Sequence, residues 1–166
     1  MKLENKDEVI RVGIADAKIS RSKILKTYGL GSCVGAAIYD LNNELAGMAH
    51  IMLPDSAASR EKQLNRNKYA DTALTDLVKA LEMEGGNKTN FKAKIAGGSQ
   101  MFQFSNTNPV IRIGQRNVEA VIEILSNLNI PIISKDVGGN YGRTMEFNPV
   151  NGMMIISTAG KGKIQL

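Results

Sequence analysis

This sequence predicts an α/β fold, built as a single layered domain over residues 1–166 with two main helices packed on a mixed or antiparallel sheet. Three observations carry that reading. Two segments place apolar residues at i, i+3, i+4 spacing, the mark of an amphipathic helix. About seven other segments are short, apolar or β-branched, and bounded by Gly, Pro, Asn or Asp, as strands are. No repeat, low-complexity tract or Pro/Ser-rich linker divides the chain, and 166 residues suit one core.

Val9 to Ser20, with Val12, Ile14, Ala15 and Ile19, reads as an extended entry segment, and Ile24 to Tyr28 as a second short strand. Gly29-Leu30-Gly31-Ser32 is a flexible elbow leading into the apolar strand Cys33 to Asp40. Leu41-Asn42-Asn43 is a turn, because Asn tolerates left-handed backbone, and Glu44 to Leu53 returns as the partner strand of a hairpin. Pro54 to Asn67 is polar and irregular. Ala70, Ala73, Leu74, Leu77, Val78 and Leu81 then fall at helical spacing until Gly85-Gly86 stops the run. Lys92 to Ala96 is a strand ending in Gly97-Gly98, and Gln115 to Leu128 is a second helix with Val118, Val121, Ile122 and Leu125 on one face. Pro131-Ile132-Ile133 opens another strand, and Asp136 to Gly142 is Gly-rich. Arg143 to Phe147 and Met153 to Ser157 close the chain as a hairpin around Asn151-Gly152.

Composition removes several classes of function. Hydrophobic residues at 43% and charged residues at 22% are globular values, so a disordered chain is excluded. No apolar run approaches the roughly 18 residues of a membrane-spanning helix, so membrane insertion is not expected. The polar N-terminus lacks the apolar core of a secretory signal, which makes the cytoplasm the expected compartment. A single cysteine excludes an internal disulfide and leaves a redox sensor without a resolving thiol in the chain. Net charge is +5, and residues 1–26 hold seven Lys/Arg against four Asp/Glu, with Lys18, Arg21, Lys23 and Lys26 closely spaced. Such a patch suits an acidic protein surface; nucleic-acid binding is not expected, since 5% aromatic residues and no Trp provide few stacking platforms. One Cys and one His are too few for a structural zinc site, and Gly97-Gly98 and Gly138-Gly139 lack the context of phosphate-binding loops, so they read as tight turns. No metal and no cofactor is expected.

Reactive chemistry therefore depends on whether the lone Cys33 and the lone His50 meet. The hairpin register decides. With Leu41-Asn42 as the loop, paired residue numbers sum to 83, and Cys33 faces His50 with Cβ atoms roughly 5 Å apart. With Asn42-Asn43 as the loop the sum is 85, and the two are diagonal neighbours on one face; an odd loop gives 84 and separates them. Together the pair suits nucleophilic catalysis, because a neighbouring imidazolium lowers a thiol pKa from about 8.5. The Gly29-x-Gly31-Ser32 elbow would let a carbonyl approach the N–H groups of Ser32 and Cys33 as an oxyanion hole. The residues alone leave the plainer alternative standing, a small buried cysteine and a satisfied core histidine. Met48 and Met52 share the His50 face by alternation and read as core packing, and Asp55-Ser56 in the following loop are candidates for the border of a substrate groove.

Thr27-Tyr28-Gly29-Leu30-Gly31-Ser32-Cys33-Val34, followed by Gly47-Met48-Ala49-His50-Ile51-Met52-Leu53-Pro54-Asp55-Ser56, resembles the CheD family of chemoreceptor glutamine deamidases. The likeness continues through Lys68-Tyr69-Ala70-Asp71-Thr72-Ala73, Lys94-Ile95-Ala96-Gly97-Gly98, Gly114-x-Arg116-Asn117-Val118 and Asp136-x-Gly138-Gly139-Asn140. The resemblance implies a hydrolase that converts receptor glutamines to glutamate, with Cys33 as nucleophile, His50 as general base and Thr27 orienting the imidazole. It implies a layered fold related to deamidating bacterial toxins, and activity in some members toward receptor glutamate methyl esters. It also implies two partners, the cytoplasmic helices of chemoreceptors and the phosphatase CheC. A monomer is expected, and Lys18 to Lys26 is a candidate surface for acidic receptor helices. If the Ile24–Tyr28 strand lies beside the hairpin, the Thr27 hydroxyl or carbonyl accepts the second ring N–H of His50 and fixes its tautomer. The alternative is a binding module that engages receptors and regulates CheC without catalysis.

Overall fold

The computed structural model describes residues 8–101 and 112–166. Within them the chain forms β1 (Val9–Arg11), β2 (Ala17–Ser20), β3 (Ile24–Leu30), β4 (Val34–Asp40), β5 (Leu45–Ile51), α1 (Ala70–Met83) and β6 (Lys92–Gly97). After these come α2 (Ile113–Asn127), β7 (Ile132–Val137), β8 (Arg143–Phe147), β9 (Met154–Thr158) and β10 (Gly162–Gln165). The strands divide between a central sheet ordered β2-β5-β4-β6-β7 and an outer sheet ordered β1-β3-β8-β9-β10. Both sheets are mixed: β6 runs parallel to β7 and β1 parallel to β3, while the other neighbours are antiparallel.

The two helices and a mixed sheet match expectation; the second sheet goes beyond it. Val34, Ala36, Ile38, Leu45, Ala49 and Ile51 pack with the buried faces of α1 and α2. The alternate residues Ala37, Tyr39, Ala46 and Met48 pack instead with Leu25, Leu30, Met145, Phe147, Met154 and Ile156 of the outer sheet. The layers are therefore helices, central sheet, outer sheet. Every residue of β4 and β5 is buried, which is why these strands read as continuous apolar runs without alternation. Glycine lets the layers close. A Cβ on Gly35 would stand 2.7 Å from the Met145 sulfur, and one on Gly47 would stand 2.5 Å from Leu77 Cδ1.

The entry segment is two strands rather than one. Ala15 adopts φ 55 between β1 and β2, and the chain passes there from the outer sheet to the central one. The 4–5 turn also differs from a two-residue loop. Asp40 pairs with Leu45 across a four-residue connection, in which Leu41–Asn43 form a 3₁₀ turn and Glu44 is left-handed. Buried Lys94 ties the sheets together by donating to the carbonyls of Gly152 and Leu166, each at 2.8 Å.

Gly97, at the end of β6, has φ +108, and a Cβ there would lie 2.3 Å from the carbonyl oxygen of Cys33. Gly97→Ala should therefore cost roughly 2–4 kcal/mol, through backbone strain and a displaced Cys33 carbonyl. Urea denaturation of the variant against the parent chain measures it; equal midpoints would show that the elbow yields without strain.

Candidate active site

Cys33, His50 and Thr27 come from three different chain segments. Cys33 ends the turn between β3 and β4, is half-buried, and packs at the rim of the inter-sheet core. His50 is on β5, and its strand parity with Ala46 and Met48 turns it toward the outer sheet, where it is fully buried. Thr27, also fully buried, is on β3 of the outer sheet. In the β4–β5 ladder His50 lies opposite Gly35, so paired numbers sum to 85. This register makes Cys33, two residues before Gly35, a diagonal neighbour of His50 on the same face. The four-residue turn keeps the parity of the two-residue Asn42-Asn43 loop while using different backbone.

A short relay fixes the imidazole. Thr27 Oγ1 lies 2.7 Å from His50 Nδ1 and also 2.8 Å from the carbonyl oxygen of Val12. A carbonyl only accepts, so the single hydroxyl proton of Thr27 goes to Val12. Nδ1 must then donate to Oγ1. Neutral His50 is thereby the Nδ1–H tautomer, and its Nε2 carries a bare lone pair, buried and without a hydrogen-bond partner among the described residues. The His50 backbone is pinned as well: its N–H donates to Asp16 O and its carbonyl accepts from Ala15 N–H, both at 3.0 Å.

The elbow is held with equal density. Ser99 N–H donates to Gly31 O and Gly98 N–H to Cys33 O, each at 2.8 Å. Ser32 O accepts from Asn117 Nδ2 at 3.0 Å, and the same amide donates to Met52 O at 2.9 Å. Behind the elbow, buried Arg143 donates to Ser99 Oγ at 2.8 Å and to Asp136 Oδ2 at 3.0 Å.

Burial sets the electrostatics. Desolvation pushes the Cys33 thiol up, opposed by its own backbone N–H against the sulfur. Desolvation also pushes His50 down to about 4. Both shifts favour the neutral partners, thiol and imidazole, over a resting thiolate–imidazolium pair. The imidazolium expected to activate the thiol at rest is thus disfavoured by the burial that positions the ring.

Gly31 and Ser32 form the elbow itself. Asp55 and Ser56 do not join the pair: Asp55 caps a short 3₁₀ turn by accepting from Ala57 N–H, and Ser56 is bound through N–H and Oγ to Asp71 of α1. Asp55 lines a separate groove of about 630 Å³ with Leu53, Pro54, Tyr69, Ile113 and Arg116, and none of Thr27, Cys33 and His50 lines it. Met48 is fully buried core, as its alternation suggested. The described residues contain no cluster of three or more His, Cys, Asp or Glu arranged to hold a metal ion. None of their helices is long and apolar enough to cross a membrane. Sequence reasoning quoted Asn117 within the Gly114-x-Arg116-Asn117-Val118 motif but gave no role to it, to Arg143 or to the Val12 carbonyl. Only Asn117 left a signal, a polar residue at i+3 from Gly114 and i−4 from Val121 on the buried face of α2.

The fold and site together define the class, a helix–sheet–sheet domain with a half-buried thiol on the same sheet face as a neutral imidazole that Thr27 orients. The family model described as CheD chemotactic sensory transduction matches residues 52–158. A protein of Halalkalibacterium halodurans named chemoreceptor glutamine deamidase CheD is 50% identical, over 96% of this chain and 99% of that protein. One of Bacillus subtilis with the same name is 52% identical, over 93% of this chain and 94% of its own length. The chain belongs to the CheD family.

Because His50 titrates at about 4 when folded and about 6.5 when unfolded, the unfolded chain binds the extra proton between these values. Stability from neutral His50 is complete above pH 6.5 and is lost as pH falls toward 4, to the extent of about 2–3 kcal/mol. Urea midpoints measured from pH 7 to pH 4.5 should fall more steeply for the parent chain than for His50→Gln. Parallel curves would show that His50 is not desolvated.

Proposed function

We propose that this protein deamidates glutamine side chains of chemoreceptors in chemotaxis, with Cys33 as nucleophile. The observation that supports it most directly is the Thr27–His50 bond, which leaves a bare Nε2 lone pair buried on the face that carries the thiol. His50 Nε2 takes the Cys33 proton as sulfur attacks the glutamine Cδ, forming a C–S bond and a tetrahedral oxyanion. The backbone N–H groups of Ser32 and Cys33 receive that oxyanion. Imidazolium then protonates the amide nitrogen, the C–N bond breaks and ammonia leaves. His50 next draws a proton from water as it attacks the thioester, which yields glutamate and restores the thiol.

Thr27 stabilises the imidazolium through a neutral oxygen, more weakly than a carboxylate would. Moderate turnover follows, suited to lasting modification of a protein. The same thioester route would hydrolyse a glutamate methyl ester, with methanol as leaving group. The partners proposed with this reading are receptor cytoplasmic helices as substrate and CheC as regulator, with a monomeric single-domain enzyme acting in the cytoplasm.

Incubation with a purified receptor cytoplasmic fragment, followed by mass spectrometry and ammonia release, tests the reaction. Discrete Gln-to-Glu conversions should appear and fall at least about 10³-fold in Cys33→Ala. Conversion that persists in that variant would exclude the thiol route. Binding without conversion by the parent chain would point to the non-catalytic module. Thr27→Val should lower kcat about 10- to 100-fold with little change in KM. The acid limb of kcat/KM should fall near pH 4 rather than near the 6.5 of a free imidazole, since protonation of Nε2 removes the base.

A further inference from the structure

Asn117 sits within the buried face of α2 and is wholly inaccessible to solvent. Its position along the helix has no slack. A Cβ on Gly114, one turn earlier, would lie 2.3 Å from the Ser99 carbonyl oxygen, and one on Gly98 would lie 2.2 Å from Val118 Cγ2. The start of α2 is therefore in direct backbone contact with the chain leaving β6, and that contact delivers Asn117 to one place. There its Nδ2 donates to two carbonyls, Ser32 O at 3.0 Å and Met52 O at 2.9 Å. The first immediately precedes Cys33; the second is two residues beyond His50. One amide nitrogen ties together the two segments that carry the thiol and the imidazole.

Peptide geometry turns this tie into a consequence for the reaction. In a planar trans peptide the C=O of Ser32 and the N–H of Cys33 point in opposite directions. Holding Ser32 O toward α2 therefore aims the Cys33 N–H away from α2, to the inter-sheet side on which His50 lies. A bond accepted at the oxygen of a peptide also polarises its N–H into a better donor. The N–H of Cys33 favours the thiolate of its own side chain, against the desolvation that raises the thiol.

We propose that Asn117 is a positioning residue of the active site. Through the Ser32 carbonyl it orients and polarises the Cys33 N–H that receives the oxyanion, and through the Met52 carbonyl it holds the end of β5 in step with that peptide. The role in turnover rests on the deamidase reading; the coupling to the Cys33 peptide does not.

Two variants test it. Asn117→Ala removes the donor without adding charge, and Asn117→Asp keeps the shape but presents oxygen to two carbonyl oxygens. Both should lower kcat for ammonia release from the receptor fragment about 10- to 100-fold with KM within about twofold, because the lost interaction serves the oxyanion and not substrate binding. Alkylation of Cys33, the only cysteine, by iodoacetamide should move to higher pH in Asn117→Ala, with His50, the titratable group on the same face, unaltered. Thermal unfolding should remain cooperative. An unchanged alkylation profile, equal changes in kcat and KM, or loss of the folded state in both variants would overturn the proposal and assign Asn117 to the fold alone. If the parent chain releases no ammonia, the deamidase reading fails by itself, and the alkylation profile still decides the role of Asn117.

Discussion

Burial of β4 and β5 on both faces governs the architecture of this protein. Helices cover one side and the outer sheet the other, so every residue of both strands is buried. Backbones this enclosed must pair all their amides with neighbours, and the strands do so on both edges, β4 with β5 and β6, β5 with β4 and β2. Side chains this enclosed must be small wherever layers approach, which places Gly35 against Met145 and Gly47 against Leu77. Only where the two strands end can the chain open toward solvent. The half-buried thiol of Cys33 is at that end.

Polar groups sealed into such a core are stable only when partnered, since an unsatisfied buried donor or acceptor costs about 1–3 kcal/mol. Thr27, His50, Asn117, Lys94 and Arg143 are all buried, and their bonds join different layers. Thr27 links the outer sheet to the central one through His50; Lys94 links β6 to the chain around β9; Asn117 links α2 to the segments that carry Cys33 and His50. The atoms left over are informative. Among the described residues His50 Nε2, Asn117 Oδ1 and Arg143 Nη2 have no partner, and for Nε2 the vacancy is a lone pair on the face of the thiol. Such a group is costly at rest, and in the proposed reaction it is the base.

The same enclosure shapes the chemistry. Desolvation favours the neutral forms of Cys33 and His50, so in the proposed reaction charge would separate only as the carbonyl is attacked. Thr27 contributes orientation more than charge, because its only proton is committed to Val12. Under the proposed mechanism the oxyanion would rely on backbone donors around Cys33, in a segment whose carbonyls α2 and the end of β6 hold in place.

Local pattern determined a good deal. The 3.6-residue spacing marked both helices, the Gly and Asn positions marked most turns, and the motifs around Thr27, Cys33 and His50 singled out three residues, of which the structure bonds Thr27 to His50 and puts Cys33 on the same sheet face as His50. Of the hairpin alternatives the ladder selected the one whose paired numbers sum to 85, although a four-residue turn with left-handed Glu44 served in place of the two-residue loop. Period, however, reports only that a face is buried, not what buries it. The second sheet, the passage of the entry segment from one sheet to the other, and the Val12 carbonyl that sets the His50 tautomer arise from contacts between segments far apart in the chain. Asn117 belongs to that group: one helical position among many in the sequence, it acquires its role only when α2 is laid against Ser32 and Met52.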